Sequence, residues 1–161
     1  MALNAYLKLV ASRQGHVLGS VIQKGREGTI MVVAVSQTII SPRHPVSGKP
    51  TGKRMHKPLV ITKEVDRSSP ILYTILCSNE NIRSVEIDFY KPDRTGIERK
   101  CFKVQLTNAN ISGMRFWVPN TRNPRSAQFP EREEIAFTYQ KISWTWLEGG
   151  ISAEDDWLLA R

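Results

Sequence analysis

The chain has 161 residues, 23 Lys and Arg against 15 Asp and Glu, a formal charge of +8, and 40% apolar residues. That length is enough for one domain with its own core, residues 1–161 read as a unit, and the apolar fraction excludes wholesale disorder. The opening MALNAYLKLVASRQ has no long apolar run, and no later stretch approaches the length of a membrane helix, so neither signal peptide nor membrane insertion is expected.

Leu3, Ala5, Leu7 and Leu9 alternate with Asn4, Tyr6 and Lys8, the two-residue period of a half-buried strand. After a turn over SRQGH, VLGSVIQ is expected as a second short strand and GREG as a turn. TIMVVAVSQTII is expected as one long buried strand, since it is dominated by β-branched residues. The segment 41–57 then breaks the pattern with Pro42, Pro45 and Pro50 and with Gly48 and Gly52, and predicts a long exposed loop. It carries Arg43, Lys49, Lys53, Arg54 and Lys57 without a single acid. Docking on a protein surface, contact with phosphates and plain solubility are three readings of that charge.

PLVITKEV restores the strand character. In DRSSP the hydroxyl of Ser69 precedes Pro70, which predicts an N-cap and a helix of about two turns through ILYTILCSNE. Ile71, Leu72, Ile75 and Leu76 form its apolar stripe, and Asn79 and Asn81 mark its stop. Val85, Ile87 and Phe89 then alternate, as do Phe102, Val104 and Leu106, so these two runs are expected to pair as a hairpin around the KPDRTG turn. In the last strand Ile135, Phe137 and Tyr139 occupy odd positions while Ile142, Trp144 and Trp146 occupy even ones. A β-bulge near Gln140 and Lys141 reconciles the two phases; a strand buried on both faces is the alternative.

The expected fold is therefore mainly β, a curved barrel-like packing of two antiparallel sheets with one short helix and a long extended loop. A second irregular segment, VPNTRNPRSAQFPE, holds Arg122 and Arg125, and a short tail at about 149–161 carries Glu154, Asp155 and Asp156. Acidic tail and basic loops are complementary, whether within one subunit or between subunits.

Cys77 and Cys101 do not suggest a disulfide framework, and His16, His44 and His56 have no zinc spacing with them. No phosphate loop, metalloprotease motif or nucleophile elbow is present, so neither catalysis nor a cofactor is expected. A nucleic-acid-binding β-domain remains a competing reading, although only Phe116 and Trp117 place aromatics near a basic loop. A small secreted toxin is a weaker one.

The order of REGTIMVVAVS, TGKRMHKP, TKEVDRSSP and YQKISWTW resembles the Hcp family along nearly the whole chain. The resemblance implies a non-enzymatic tube subunit of the bacterial type VI secretion system, with six-membered rings that stack into an inner tube. It implies sheath, spike and baseplate as partners, small effectors carried in the lumen, no specific nucleic acid, and export from the bacterial cytoplasm by the system itself. The extended loop at about 41–57 would then reach a neighbouring subunit or ring. Lys53, Arg54, Arg122 and Arg125 are candidates to meet Glu154, Asp155 and Asp156 of another copy. Few residues follow the Trp-rich strand, so no appended toxic domain is expected.

Overall fold

The computed structural model describes residues 1–159. In chain order its elements are β1 (Ala5–Ala11), β2 (Gly15–Val17), β3 (Ile30–Val32), β4 (Ala34–Ser36), β5 (Ile39–Ile40), β6 (Met55–His56), β7 (Leu59–Glu64), α1 (Ser69–Cys77), β8 (Ile82–Pro92), β9 (Glu98–Trp117), β10 (Arg132–Trp146) and β11 (Ile151–Asp156). A nine-stranded sheet runs β2-β1-β8-β9-β10-β7-β4, with β3 also on β1 and β11 also on β10, while β5 and β6 form a separate two-stranded sheet. The mainly β, barrel-like fold with one helix is as expected.

The path closes on itself through residues 30–36. Ile30 to Val32 pair with Leu7 to Ala5 on β1, and one residue later Ala34 to Ser36 pair with Thr62 to Val60 on β7, at the far end of the path. Val33 makes the corner, its N–H donating to the Thr62 carbonyl at 2.8 Å. The expected single strand over TIMVVAVSQTII is therefore three short ones. Its residues serve three separate ladders, β3 on β1, β4 on β7 and β5 on β6, and the first two cover edges that would otherwise be left open. VLGSVIQ also departs from expectation: the second strand takes Gly15–Val17, and the chain beyond folds into a loop in which Gly19 and Gly28 bond to each other's neighbourhood (Gly19 N–H to Gly28 O, 2.9 Å; Gly28 N–H to Val21 O, 2.9 Å). A Cβ on Gly19 would overlap the Thr29 carbonyl, so the loop packs too tightly there for any side chain.

The expected hairpin forms, with Val85 opposite Leu106, Ile87 opposite Val104 and Phe89 opposite Phe102. The phase change in β10 is also present, but it is not a bulge at Gln140 and Lys141. The ladder with β9 keeps its register there and shifts between Ala136 and Phe137 instead. Three adjacent strands change phase together: Tyr139 faces Ala109, which faces Ile82, and Ile142 faces Leu106, which faces Val85. All six are buried. Each strand has two residues between its inward pair where strict alternation allows one, so the inward face changes parity in all three, from odd to even along β10 and from even to odd along β8 and β9, with the β9–β10 register kept across the step. Asn108 takes the strain of this step at φ 53°, a conformation Asn tolerates better than most residues, and its Nδ2 donates to Gln140 Oε1 at 2.8 Å.

Helix α1 lays Leu72 and Ile75 into the core with Ile71 and Leu76 beside them, and the chain leaves it through Asn79 at φ 51°. Its N-cap is Ser68, not Ser69. The Asp66 carboxylate accepts the Ser68 N–H at 2.9 Å and the Asp66 carbonyl accepts the Ser69 N–H at 3.1 Å, which frees the Ser69 hydroxyl to turn inward.

Candidate functional site

The segment expected as a loop over 41–57 is a paired arm. Ile39 pairs with His56 and Ile40 with Met55 at its root, and Arg43 bridges to Pro50 further out. Thr51 N–H donates to Pro42 O (3.0 Å), His44 N–H to Lys49 O (2.8 Å) and Gly48 N–H to His44 O (2.9 Å), the last closing a tip at which Gly48 adopts φ 69°. Backbone bonds rather than a core hold this shape. Arg43, Lys49, Lys53 and Lys57 are all exposed along it, and Val46 at the tip is 90% exposed.

The root of the arm is anchored to the barrel by side chains. The Arg54 guanidinium donates to both oxygens of Asp155, Nη2 lying 2.8 Å from Oδ1, and the same nitrogen reaches the Asp156 carbonyl at 3.0 Å. His56 Nε2 lies 2.7 Å from Asp155 Oδ2 and its Nδ1 2.9 Å from the Tyr139 hydroxyl, which in turn accepts from Gln37 Nε2 at 2.7 Å. Trp157 stacks on the His56 ring with centroids 6.1 Å apart. The Arg54 hydrogen bonds hold the Asp155 carboxyl below the usual carboxylate range, with His56 adding to the effect against a smaller cost of burial. Burial, with the Asp155 charge nearby, pushes the Tyr139 phenol up against the hydrogen bond from Gln37.

Of the basic and acidic residues expected to meet, Arg54 and Asp155 therefore do so within one chain. Glu154 pairs with Lys141 at 2.8 Å, and Asp156 accepts from Gln140 Nε2 at 3.1 Å and from the Leu158 N–H at 3.1 Å. The expected tail is largely a strand, β11 pairing Ile151 to Asp156 with Trp146 to Lys141, along the part of β10 that β7 leaves unpaired; residues 160–161 lie outside the described part. Arg122 and Arg125 sit exposed on the loop between β9 and β10, their N–H groups donating to Asn120 and Asn123 side chains (3.1 and 3.0 Å).

Two buried charge clusters were not anticipated. Arg26, 7% exposed, lies 3.7 Å from the Tyr90 ring centre and 4.6 Å from that of Tyr6, and pairs with Glu98 at 2.7 Å. Lys63 is fully buried between Glu133 (2.6 Å) and Asp66 (3.0 Å), with Ser69 Oγ at 3.1 Å and the Glu64 carbonyl at 2.8 Å. Burial works against the charge on Asp66, but hydrogen bonds from Ser68 and Lys63 outweigh it and hold its carboxyl below the usual range. The signal for Lys63 and Glu133 lay in the alternation, since Leu59, Ile61 and Lys63 share the inward face of β7, as Glu133, Ile135 and Phe137 share that of β10. Among the described residues no group of three His, Cys, Asp or Glu is placed to hold a metal ion. The molecule's conspicuous chemistry is that of surfaces: a rigid cationic arm on a closed barrel.

The family model described as "Type VI secretion system effector, Hcp" matches residues 6–146. The "Major exported protein" of Pseudomonas aeruginosa is 37% identical, over 98% of this chain and 96% of its own length. Among solved structures, Hcp1 from E. coli EAEC 042 superposes with a TM-score of 0.85 at 33% identity, covering 97% of this chain and 99% of that one. The secreted protein Hcp3 from Pseudomonas aeruginosa gives 0.79 at 29% identity, covering 96% and 97%.

Proposed function

Because this chain belongs to the Hcp family, the structural, non-enzymatic tube proteins of the type VI secretion system, we propose that it closes into six-membered rings and that these rings stack into the inner tube. The observation that carries the reading is the arm. A two-stranded projection with no core of its own, basic throughout and pinned at its root by Arg54, His56 and Asp155, is built to be held out from the barrel toward something else. A closed ring needs each subunit to show one surface to its predecessor and another to its successor, and the strand-built wall of the barrel supplies rigid faces for that. Stacking needs a separate pair of surfaces, for which the exposed Arg43, Lys49, Lys53, Lys57, Arg122 and Arg125 are the basic half.

In this reading the acidic half changes. Asp155 is committed to Arg54 and Glu154 faces Lys141, so the contacts between copies fall less on Glu154, Asp155 and Asp156 than their charge suggests. The completed tube would take sheath, spike and baseplate as partners, carry small effectors in its lumen, and leave the bacterial cytoplasm through the secretion system. Native mass spectrometry of the purified protein tests the ring directly: a dominant species of six 18.3 kDa chains supports it, and a monomer at every concentration refutes it.

A further inference from the structure

The inward rows of β8 and β9 run on past the end of the core. On β8 the row Val85, Ile87, Phe89 continues to Lys91, and Arg99 on β9 lies directly opposite Lys91. A bulge absorbs the change of step on β9: Phe102 faces Phe89 and Lys100 faces Tyr90, so Cys101 is the extra residue. Phe89 and Phe102, with ring centres 5.8 Å apart, pack against the core and are only half-buried. Beyond them the barrel opens into a cleft of about 290 Å³ whose walls include Leu3, Phe89, Phe102 and Trp146. Lys91, Cys101 and Trp146 form its neck, since the same three residues also line a second hollow of about 460 Å³ outside it.

Charge at the neck is unbalanced. Among the described residues Lys91 is the one charged side chain on the cleft wall, its Nζ lying 5.4 Å from the centre of the Trp146 ring. Like charges directly opposite one another in a sheet repel. Arg99 is relieved by Asp93 at 2.7 Å, and Lys100, on the other face, by Asp88 at 2.8 Å. Lys91 has no such partner among the described residues; Glu148, exposed on the outer hollow, lies beyond ion-pair distance. The Cys101 thiol donates to the Phe89 carbonyl at 3.4 Å, which occupies an acceptor that an anion would otherwise meet there. An aromatic wall ending on an uncompensated cation has the polarity of an amphipathic anion, whose tail displaces water from the rings while its head completes the cation. We propose that the barrel mouth binds a single-chain amphipathic carboxylate, its chain against Phe89, Phe102 and Trp146 and its head group at Lys91. The cleft has room for one such chain, and the position of Lys91 rejects a cationic amphiphile of the same length.

Equilibrium dialysis of the full chain against radiolabelled decanoate, below its micelle concentration, tests the site. Saturable uptake is expected, with decylamine, the cation of the same chain length, bound at least about tenfold more weakly. Lys91→Glu, at an exposed position where an unchanged thermal midpoint verifies folding, is expected to weaken decanoate binding about tenfold, and Lys91→Met to abolish the preference for decanoate over decylamine. Lys53→Glu makes the same charge change on the arm and is expected to leave binding unchanged, which separates the mouth from the general attraction of a +8 chain for anions. Equal affinity for the two amphiphiles, equal weakening by Lys53→Glu, or indifference to Lys91→Glu overturns the site. So does the absence of saturable uptake, the result expected where a second copy covers the mouth. None of these outcomes bears on ring formation.

Discussion

Asp155 sits in the fork of the Arg54 guanidinium, Nη2 to Oδ1 at 2.8 Å, although the two residues are 101 positions apart in the chain. One is the root of the arm and the other belongs to the edge strand β11, so a single bidentate contact ties the least self-supporting part of the molecule to the barrel. His56, on the same limb of the arm, shares that carboxylate, and its pairing with Ile39 carries the anchorage to β5.

Arg54→Ala releases that root without touching the core. Trypsin cleavage after Arg43 and Lys53 is expected to rise several-fold, while far-UV circular dichroism and the thermal midpoint stay close to the parent values. Equal cleavage in the two proteins would mean that backbone pairing alone fixes the arm.

Acid should release it as well. The Asp155 carboxyl is held below its ordinary value, so in the folded chain the carboxylate binds its proton later than in the unfolded one. The stabilisation is therefore complete above about pH 4, the unfolded value, and fades as pH falls through the lower folded one. Amide hydrogen exchange in residues 43–54 is expected to show constant protection, after correction for intrinsic rates, from about pH 8 down to about pH 5 and a loss of protection only below about pH 4.

Lys63→Met removes the cation that pairs with the buried Glu133 and the partly buried Asp66. A loss of about 3–5 kcal/mol is expected in urea unfolding at neutral pH, because the partners stay behind without compensation. Adding Glu133→Leu to the same chain should recover part of it, since replacing both partners by apolar groups avoids the stranded charge.

Gly19→Ala places a methyl on the Thr29 carbonyl and must shift one of two backbone segments. A cost of about 1–3 kcal/mol is expected from the same unfolding measurement. Gly52→Ala, where a Cβ meets nothing, serves as the control with no measurable change.

The parts of the fold legible in the sequence were those whose periodicity is local. Val85, Ile87 and Phe89 against Leu106, Val104 and Phe102 form the hairpin their alternation specifies, and Leu72 and Ile75 bury the helix face their spacing specifies. The corner at Val33 was not legible, because nothing in a β-branched run says that its first half will pair with β1 and its second with β7; that depends on which edges the rest of the chain leaves open. The phase change at Tyr139 and Ile142 was visible, but its solution lies in β8 and β9 as much as in β10, a cooperation no single strand reveals. In the arm, opposite charges on Arg54 and Asp155 were plain, while their union within one chain is a matter of the register of β11 on β10. Lys63 was hidden by its own chemistry: a charged residue at an inward position is read as a solvent-facing one until Glu133 is placed opposite it.

Assembly into rings is the central claim, and electron microscopy of the purified, untagged chain without nucleic acid addresses it most directly. Class averages should show closed rings with six-fold symmetry that associate end to end as concentration rises, and Lys49→Glu should leave the rings while reducing the stacks. A uniform monomer at all concentrations, or particles that appear only when nucleic acid is added and vanish with salt, would contradict the account.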